Sequence, residues 1–200
     1  SSAPQQPQLA GTNGEWPDRL YQGSTVALDH RTGALVWWAQ HHSDMWNNDS
    51  VYDRILVDAK LNPSAPNSLG QNPDIDPDQT RELVIGSFSK DAIFYVYDRT
   101  DGSFLYARPT AYQNVIRSYD GATGAYTTEP DAIMTAEAGR EATICRENRQ
   151  IPQGAYSPLT NAYYVPAFNG PCSVMSMRST EPTIETGYNT TYSATVPSPA

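Results

Sequence analysis

The chain has 200 residues, with 22 Asp and Glu against 13 Lys and Arg, a formal net charge of −9. Lys60 and Lys90 are its two lysines, so it lacks the basic footprint of a nucleic-acid binder and no nucleic-acid partner is expected. No run approaches the ~18 apolar residues of a membrane span, no signal peptide is expected within it, and the opening Ser1 suggests processing or a fragment.

Hydrophobic residues make up 38% of the chain, with 13 Tyr, 16 Pro and 13 Gly. β-Branched and aromatic residues outnumber any helical pattern, so the expected fold class is all-β. Residues 1–19, rich in Pro, Gln, Gly and Ser, read as a loop or rim. Residues 24–29 form a first predicted strand and 34–38 a second. Between them His30-Arg-Thr-Gly33 is a turn in which Gly supplies the positive φ, giving a hairpin of Asp-x-x-Thr-Gly type.

Next comes the densest stretch of chemistry, Trp38 to Asp49, which gathers two Trp, two His, two Asp and two Asn. If extended, it points His42, Asp44 and Trp46 one way and Ser43, Met45 and Asn47 the other. Such a cluster is either a cofactor pocket or the capped end of a buried strand, since an indole most often packs while its N–H finds a partner. Zinc is disfavoured: adjacent His41 and His42 point to opposite faces of a strand, with no Cys or carboxylate at ligand spacing. Asn48-Asp-Ser50, like Asn189-Thr-Thr191, fits the short glycosylation sequon.

Residues 54–58 read as a strand and 61–80, with four Pro, as a long surface loop. Strands follow at 81–86 and 93–97; Asp98-Arg-Thr-Asp-Gly102 repeats the turn, and 103–106 returns. Asp120-Gly-Ala-Thr-Gly124 is a further copy, with a short helix possible around 131–138. A turn at 157–161 precedes a strand at 162–166, and 179–200, rich in Thr, Pro and Ser, has little to bury. Cys145 and Cys172 allow one disulfide in an exported protein, worth on the order of 3–4 kcal/mol in the chain-entropy model, or two free thiols in a cytosolic one.

Repetition of one turn along an all-β chain suggests propeller blades of about 40–50 residues, of which this length holds about three to four. Two unrelated hairpins in a sandwich are the alternative. The order of motifs resembles the quinoprotein alcohol dehydrogenase family, similar to methanol dehydrogenase. The residues that carry the resemblance are Ala27-Leu-Asp-His-Arg-Thr-Gly33, Trp38, Gln40 and Ser43-Asp-Met-Trp-Asn-Asn-Asp49. They continue with Lys90 ahead of Tyr95-Val-Tyr-Asp-Arg-Thr-Asp-Gly102, then Ala155-Tyr-Ser-Pro158, Tyr164-Val-Pro-Ala167 and Cys172.

The resemblance implies part of an eight-bladed β-propeller, exported to the periplasm or secreted, with 1–19 as rim, 20–178 as blades and 179–200 as an end segment. The remaining blades lie outside this chain. It implies oxidation of an alcohol by hydride transfer to pyrroloquinoline quinone (PQQ), assisted by Ca²⁺ or a lanthanide, with a cytochrome as possible electron acceptor.

Site roles carry over position by position. Lys90 matches the basic side chain that polarises the quinone carbonyl, or is a solvated turn lysine. Asn47 stands where the family places its general-base Asp; an amide takes up no proton near neutral pH, though it can offer an oxygen to a metal. Asp49 matches the extra carboxylate of lanthanide-using members, or is a turn residue. Gln150 replaces a cofactor-contacting Asn, Trp46 supports the site or packs in the core, and Cys145 pairs with Cys172. His41 and His42 match no family role and read as surface or satisfied residues. Asn47 and the Gln150-Ile151 pair also fit a propeller that lost its chemistry and serves as a binding or structural module. A secreted carbohydrate-binding β protein would explain the aromatic content but not the ordered motifs.

Overall fold

A computed structural model describes residues 21, 23–42, 48, 50–63, 67–133, 139–146, 153–167, 170–177 and 190–197. Among them the chain is all-β with no α-helix; a 3₁₀ turn at Pro130–Ala132 is its one helical element. No helix of the described residues is long and apolar enough to cross a membrane.

The predicted Asp-x-x-Thr-Gly turns share one hydrogen-bond pattern. Strands β1 (Ser24–Leu28) and β2 (Leu35–Gln40) pair antiparallel, Val26 opposite Trp38. At their turn Asp29 Oδ1 accepts from Thr32 N at 2.8 Å and Thr32 Oγ1 at 2.9 Å, while Gly33 N donates to Asp29 O at 2.8 Å. Asp120 repeats this toward Thr123 and Gly124, and Asp98 toward Thr100 and Gly102. The closing glycines have φ of 71°, 77° and 73°, the left-handed region that favours Gly. The exposed carboxylates of Asp29 and Asp120 are held below the ordinary range by these Thr donors.

A five-stranded antiparallel sheet forms the centre, in the order β3 (Ile55–Lys60), β5 (Thr80–Gly86), β6 (Ile93–Asp98), β7 (Phe104–Pro109), β4 (Gly70–Gln71). Alternation along β6 sends Ile93, Tyr95 and Tyr97 into one core and Val96 into another, with Phe94 packed against the second. Both faces of the sheet are therefore covered. The first core takes in Trp37 of β2, Ile116 and Tyr119 of β8 (Ile116–Tyr119) and Ile144 of β10 (Glu141–Ile144). Beside the second core, β11 (Ala155–Ser157) and β12 (Ala162–Tyr164) form a hairpin, and Tyr163 stacks on Phe94.

Several strands fall where the sequence showed none. β4 lies within the stretch read as a loop, tied to Ala107 and Tyr106 of β7. β8 pairs with β9 (Tyr126–Thr128) around the Asp120 turn. β10 pairs with β13 (Cys172–Met177), and β13 with β14 (Thr190–Val196), inside the segment read as having little to bury. Of the short helix expected around 131–138, residues 134–138 lie outside the described residues; the described part holds the 3₁₀ turn ending at Ala132. Cys145 and Cys172 form the expected disulfide, joining the end of β10 to the start of β13 with their Cα atoms 4.2 Å apart.

Candidate active site

Of the predicted site residues, Lys90, Cys145 and Cys172 are described; Trp46, Asn47, Asp49 and Gln150 lie outside the described residues, as does Ile151. The described structure shows what anchors the chain on either side of 43–47 and how that chain meets the Lys90 turn.

Lys90 sits between β5 and β6. It is 8% exposed, so the solvated turn lysine is ruled out. Its neighbours Ser89 and Asp91 are fully buried. Asp91 N donates to Ser89 Oγ at 3.2 Å, and Asp91 Oδ1 accepts from Ile93 N at 3.0 Å. Tyr95 Oη donates to Asp91 Oδ2 at 2.5 Å. The turn leaves through Ala92, buried with a φ of 61°, a left-handed conformation unusual for a residue with a Cβ.

The same turn receives the chain that leads to Asn47. His42 is fully buried, its Nε2 3.1 Å from Ser89 Oγ and 3.5 Å from Asp91 Oδ2. Beyond the undescribed residues, Asn48 is again fully buried and accepts at Oδ1 from Arg146 Nη1 at 3.1 Å. Arg54 then donates to Ser50 O at 3.0 Å, Tyr52 O at 2.7 Å and Ser24 O at 3.2 Å, and its guanidinium lies 4.9 Å from the Phe88 ring centroid. Tyr52 N donates to Phe88 O at 3.3 Å. The chain carrying positions 47 and 49 is thus pinned before, within and after, and two of those pins reach residues 88–91.

His41 meets partners different from those of His42, and neither histidine is at the surface. His41 Nδ1 is 3.0 Å from Tyr97 Oη and its Nε2 2.8 Å from Thr25 Oγ1. Burial, reinforced by the nearby Arg54 and His42 charges, holds its pKa well below the usual imidazole range. In a neutral ring one nitrogen donates and the other accepts across this Thr25–Tyr97 pair, and Thr25 Oγ1 also accepts from Arg54 Nε at 3.2 Å. Tyr119 Oη donates to His41 O at 2.7 Å and lies 2.9 Å from Tyr95 Oη. Burial raises Tyr95, Tyr97 and Tyr119 well above the ordinary phenol range, so this layer is neutral scaffolding behind the Lys90 turn.

Sequence reasoning missed His42, Asp91, Arg54 and Arg146. Their contacts span long sequence separations, 47 residues for His42 with Ser89, and no local spacing encodes them. A cavity of about 480 Å³ on the other face of the sheet, lined by Val57, Phe94, Tyr156 and Tyr163, contains no predicted site residue. Among the described residues no group of three His, Cys, Asp or Glu could hold a metal. Any metal donors from the predicted set would therefore come from Asn47 and Asp49.

No family model matches the chain. Sequence similarity is to the dehydrogenase subunit of alcohol dehydrogenase (quinone) of Gluconobacter oxydans, 29% identical over 153 residues, 75% of this chain and 18% of that protein. The 1-butanol dehydrogenase (cytochrome c) of Thauera butanivorans is 30% identical over 155 residues, 77% of this chain and 20% of its own. The quinohemoprotein alcohol dehydrogenase of Comamonas testosteroni is 28% identical over 189 residues, 86% and 23%. Its crystal structure superposes with a TM-score of 0.64 at 25% identity over 80% of this chain and 21% of that one. A europium-containing methanol dehydrogenase gives 0.66 at 22% identity over 85% and 27%, a likeness of fold. The chain spans about a fifth of the length of these curated relatives.

Proposed function

Because the chain is related to the quinoprotein alcohol dehydrogenases over three quarters of its length, we propose that the protein carrying it oxidises an alcohol by hydride transfer to PQQ. The observation that carries the reading is Lys90. One of two lysines in the sequence, it matches by motif order the basic residue the family sets against the quinone, and it is nearly buried in a turn braced by Ser89, Asp91 and His42.

A cation on a fixed turn is the chemistry a quinone oxygen needs: a donor that keeps its place and requires no reorganisation as charge develops. PQQ, when bound, supplies the two-electron acceptor. With it bound, Lys90 would orient and polarise a carbonyl, while Asn47 and Asp49 would offer oxygens to Ca²⁺ or a lanthanide. By the family resemblance, Trp46 and Gln150 are assigned to the same cofactor. Asn47 cannot accept the alcohol proton, which separates this chain from the family pattern. The reading extends to an exported protein, a single β-propeller domain with three to four blades in this chain, and a cytochrome acceptor.

Asn47 supports a second reading, a propeller without catalysis that binds a partner. Exchange of Lys90 for Met, which keeps the aliphatic stem and removes the charge, separates the two. Loss of PQQ binding and of dye-linked alcohol oxidation in the full-length Lys90→Met protein is expected from the first reading. A wild-type protein with neither property belongs to the second.

A further inference from the structure

We propose that His42, which has no counterpart in the motifs that carry the family resemblance, is a positioning residue that sets the direction of Lys90. The inference rests on the reading that Lys90 meets the quinone, but its geometry stands alone. A single buried imidazole nitrogen approaches both neighbours of Lys90, Ser89 Oγ at 3.1 Å and Asp91 Oδ2 at 3.5 Å.

The turn also carries contacts of its own. Ser89 and Asp91 bond to one another through a backbone N–H, and the chain must then pass Ala92 at a positive φ. Such conformations persist where the surroundings over-determine them and cluster at working sites. Asp91 is secured from the other side by Tyr95 and Ile93 N. His42 is the member of this set that comes from the chain leading to Asn47, so it fixes that chain and the Lys90 turn in one register. β2 ends at Gln40, and His41, the next residue, is held independently by Thr25 and Tyr97, so His42 follows a chain already fixed in place.

The test uses the full-length protein in two measurements. In the first, PQQ-free protein is labelled at lysine by reductive methylation and mapped by mass spectrometry. Lys60, with a side chain 54% exposed, is the internal reference. Relative to Lys60, Lys90 should label at least fivefold faster in His42→Leu and in the milder Ser89→Ala, and within twofold of wild type in His42→Gln, whose amide can replace the ring nitrogen. An unchanged Lys90 ratio in both His42→Leu and Ser89→Ala overturns the proposal. If His42→Leu loses its cooperative melt, Ser89→Ala and His42→Gln decide.

In the second, PQQ affinity is titrated by absorbance. His42→Leu should weaken it tenfold or more, His42→Gln should restore it to within threefold, and His42→Leu should add nothing on a Lys90→Met background, because it acts through that lysine. Additive losses overturn the positioning role. No effect of Lys90→Met itself overturns the functional reading instead, leaving the labelling result to stand on its own.

Discussion

Arg146 donates to Asn48 Oδ1 at 3.1 Å although 98 residues separate them, and Arg146 directly follows the disulfide at Cys145. The cross-link at the end of β10 therefore reaches the residue between Asn47 and Asp49. Arg146→Leu should weaken binding of Ca²⁺ or a lanthanide to the full-length protein by roughly ten- to a hundredfold, the usual scale for groups that orient metal ligands. Isothermal titration with the metal in the presence of PQQ checks this, and unchanged affinity would detach the Asn48 contact from metal binding.

Reduction of Cys145–Cys172 should cost on the order of 3–4 kcal/mol for the 27-residue separation. Urea melts with and without reductant measure it. Metal affinity should fall in parallel, because Arg146 loses its fixed base.

Asn47→Asp should raise dye-linked alcohol oxidation by roughly a hundredfold or more, the scale of a general base restored to its place. Steady-state kinetics with a short-chain primary alcohol reports it, together with a new dependence of kcat/KM on a group titrating in the carboxylate range. Activity that stays at the parent level assigns proton removal to another residue.

Stability should depend on pH through His41. Its folded pKa is depressed below the unfolded value of 6.5, so the unfolded chain takes up the proton first. The stabilisation is complete above about pH 6.5 and is lost as pH falls toward the depressed folded value, by about 1.4 kcal/mol per pH unit. The carboxylates of Asp29, Asp101 and Asp120, lowered by local hydrogen bonds, carry the same sign but titrate below their ordinary value of 3.8. Denaturant melts between pH 7 and 5 should show the slope, flattened in His41→Gln.

Two turn glycines should differ. A Cβ at Gly102 would lie 2.6 Å from Trp37 Cε3, whereas at Gly33 nothing lies within 4 Å, and both have positive φ. Gly33→Ala pays only for backbone conformation, about 1 kcal/mol, while Gly102→Ala adds displacement of Trp37, whose Nε1 donates to Arg99 O at 2.9 Å, for a total of about 2–4 kcal/mol. Thermal melts of the pair compare them, and equal losses would contradict the packing.

The legible parts of the sequence were those with local causes. Asp29, Asp98 and Asp120 each satisfy their own turn within five residues, so the three turns could be read directly, though not the strands β8 and β9 that flank the last. Strands β4 and β14 could not: Gly70–Gln71 is ordered by pairing with β7, and the Thr-rich Thr190–Val196 by pairing with β13. Lys90 was legible as a position but not as buried, since the turn that carries it is tied to His42 by a contact no local pattern encodes. His41 and His42 looked idle because their partners lie in strands and turns far along the chain.

The central claim is tested most directly by mass spectrometry and an absorbance spectrum of the native full-length protein. The account predicts PQQ together with Ca²⁺ or a lanthanide, at about one of each per chain. A protein that holds neither, even after reconstitution with both, would contradict it.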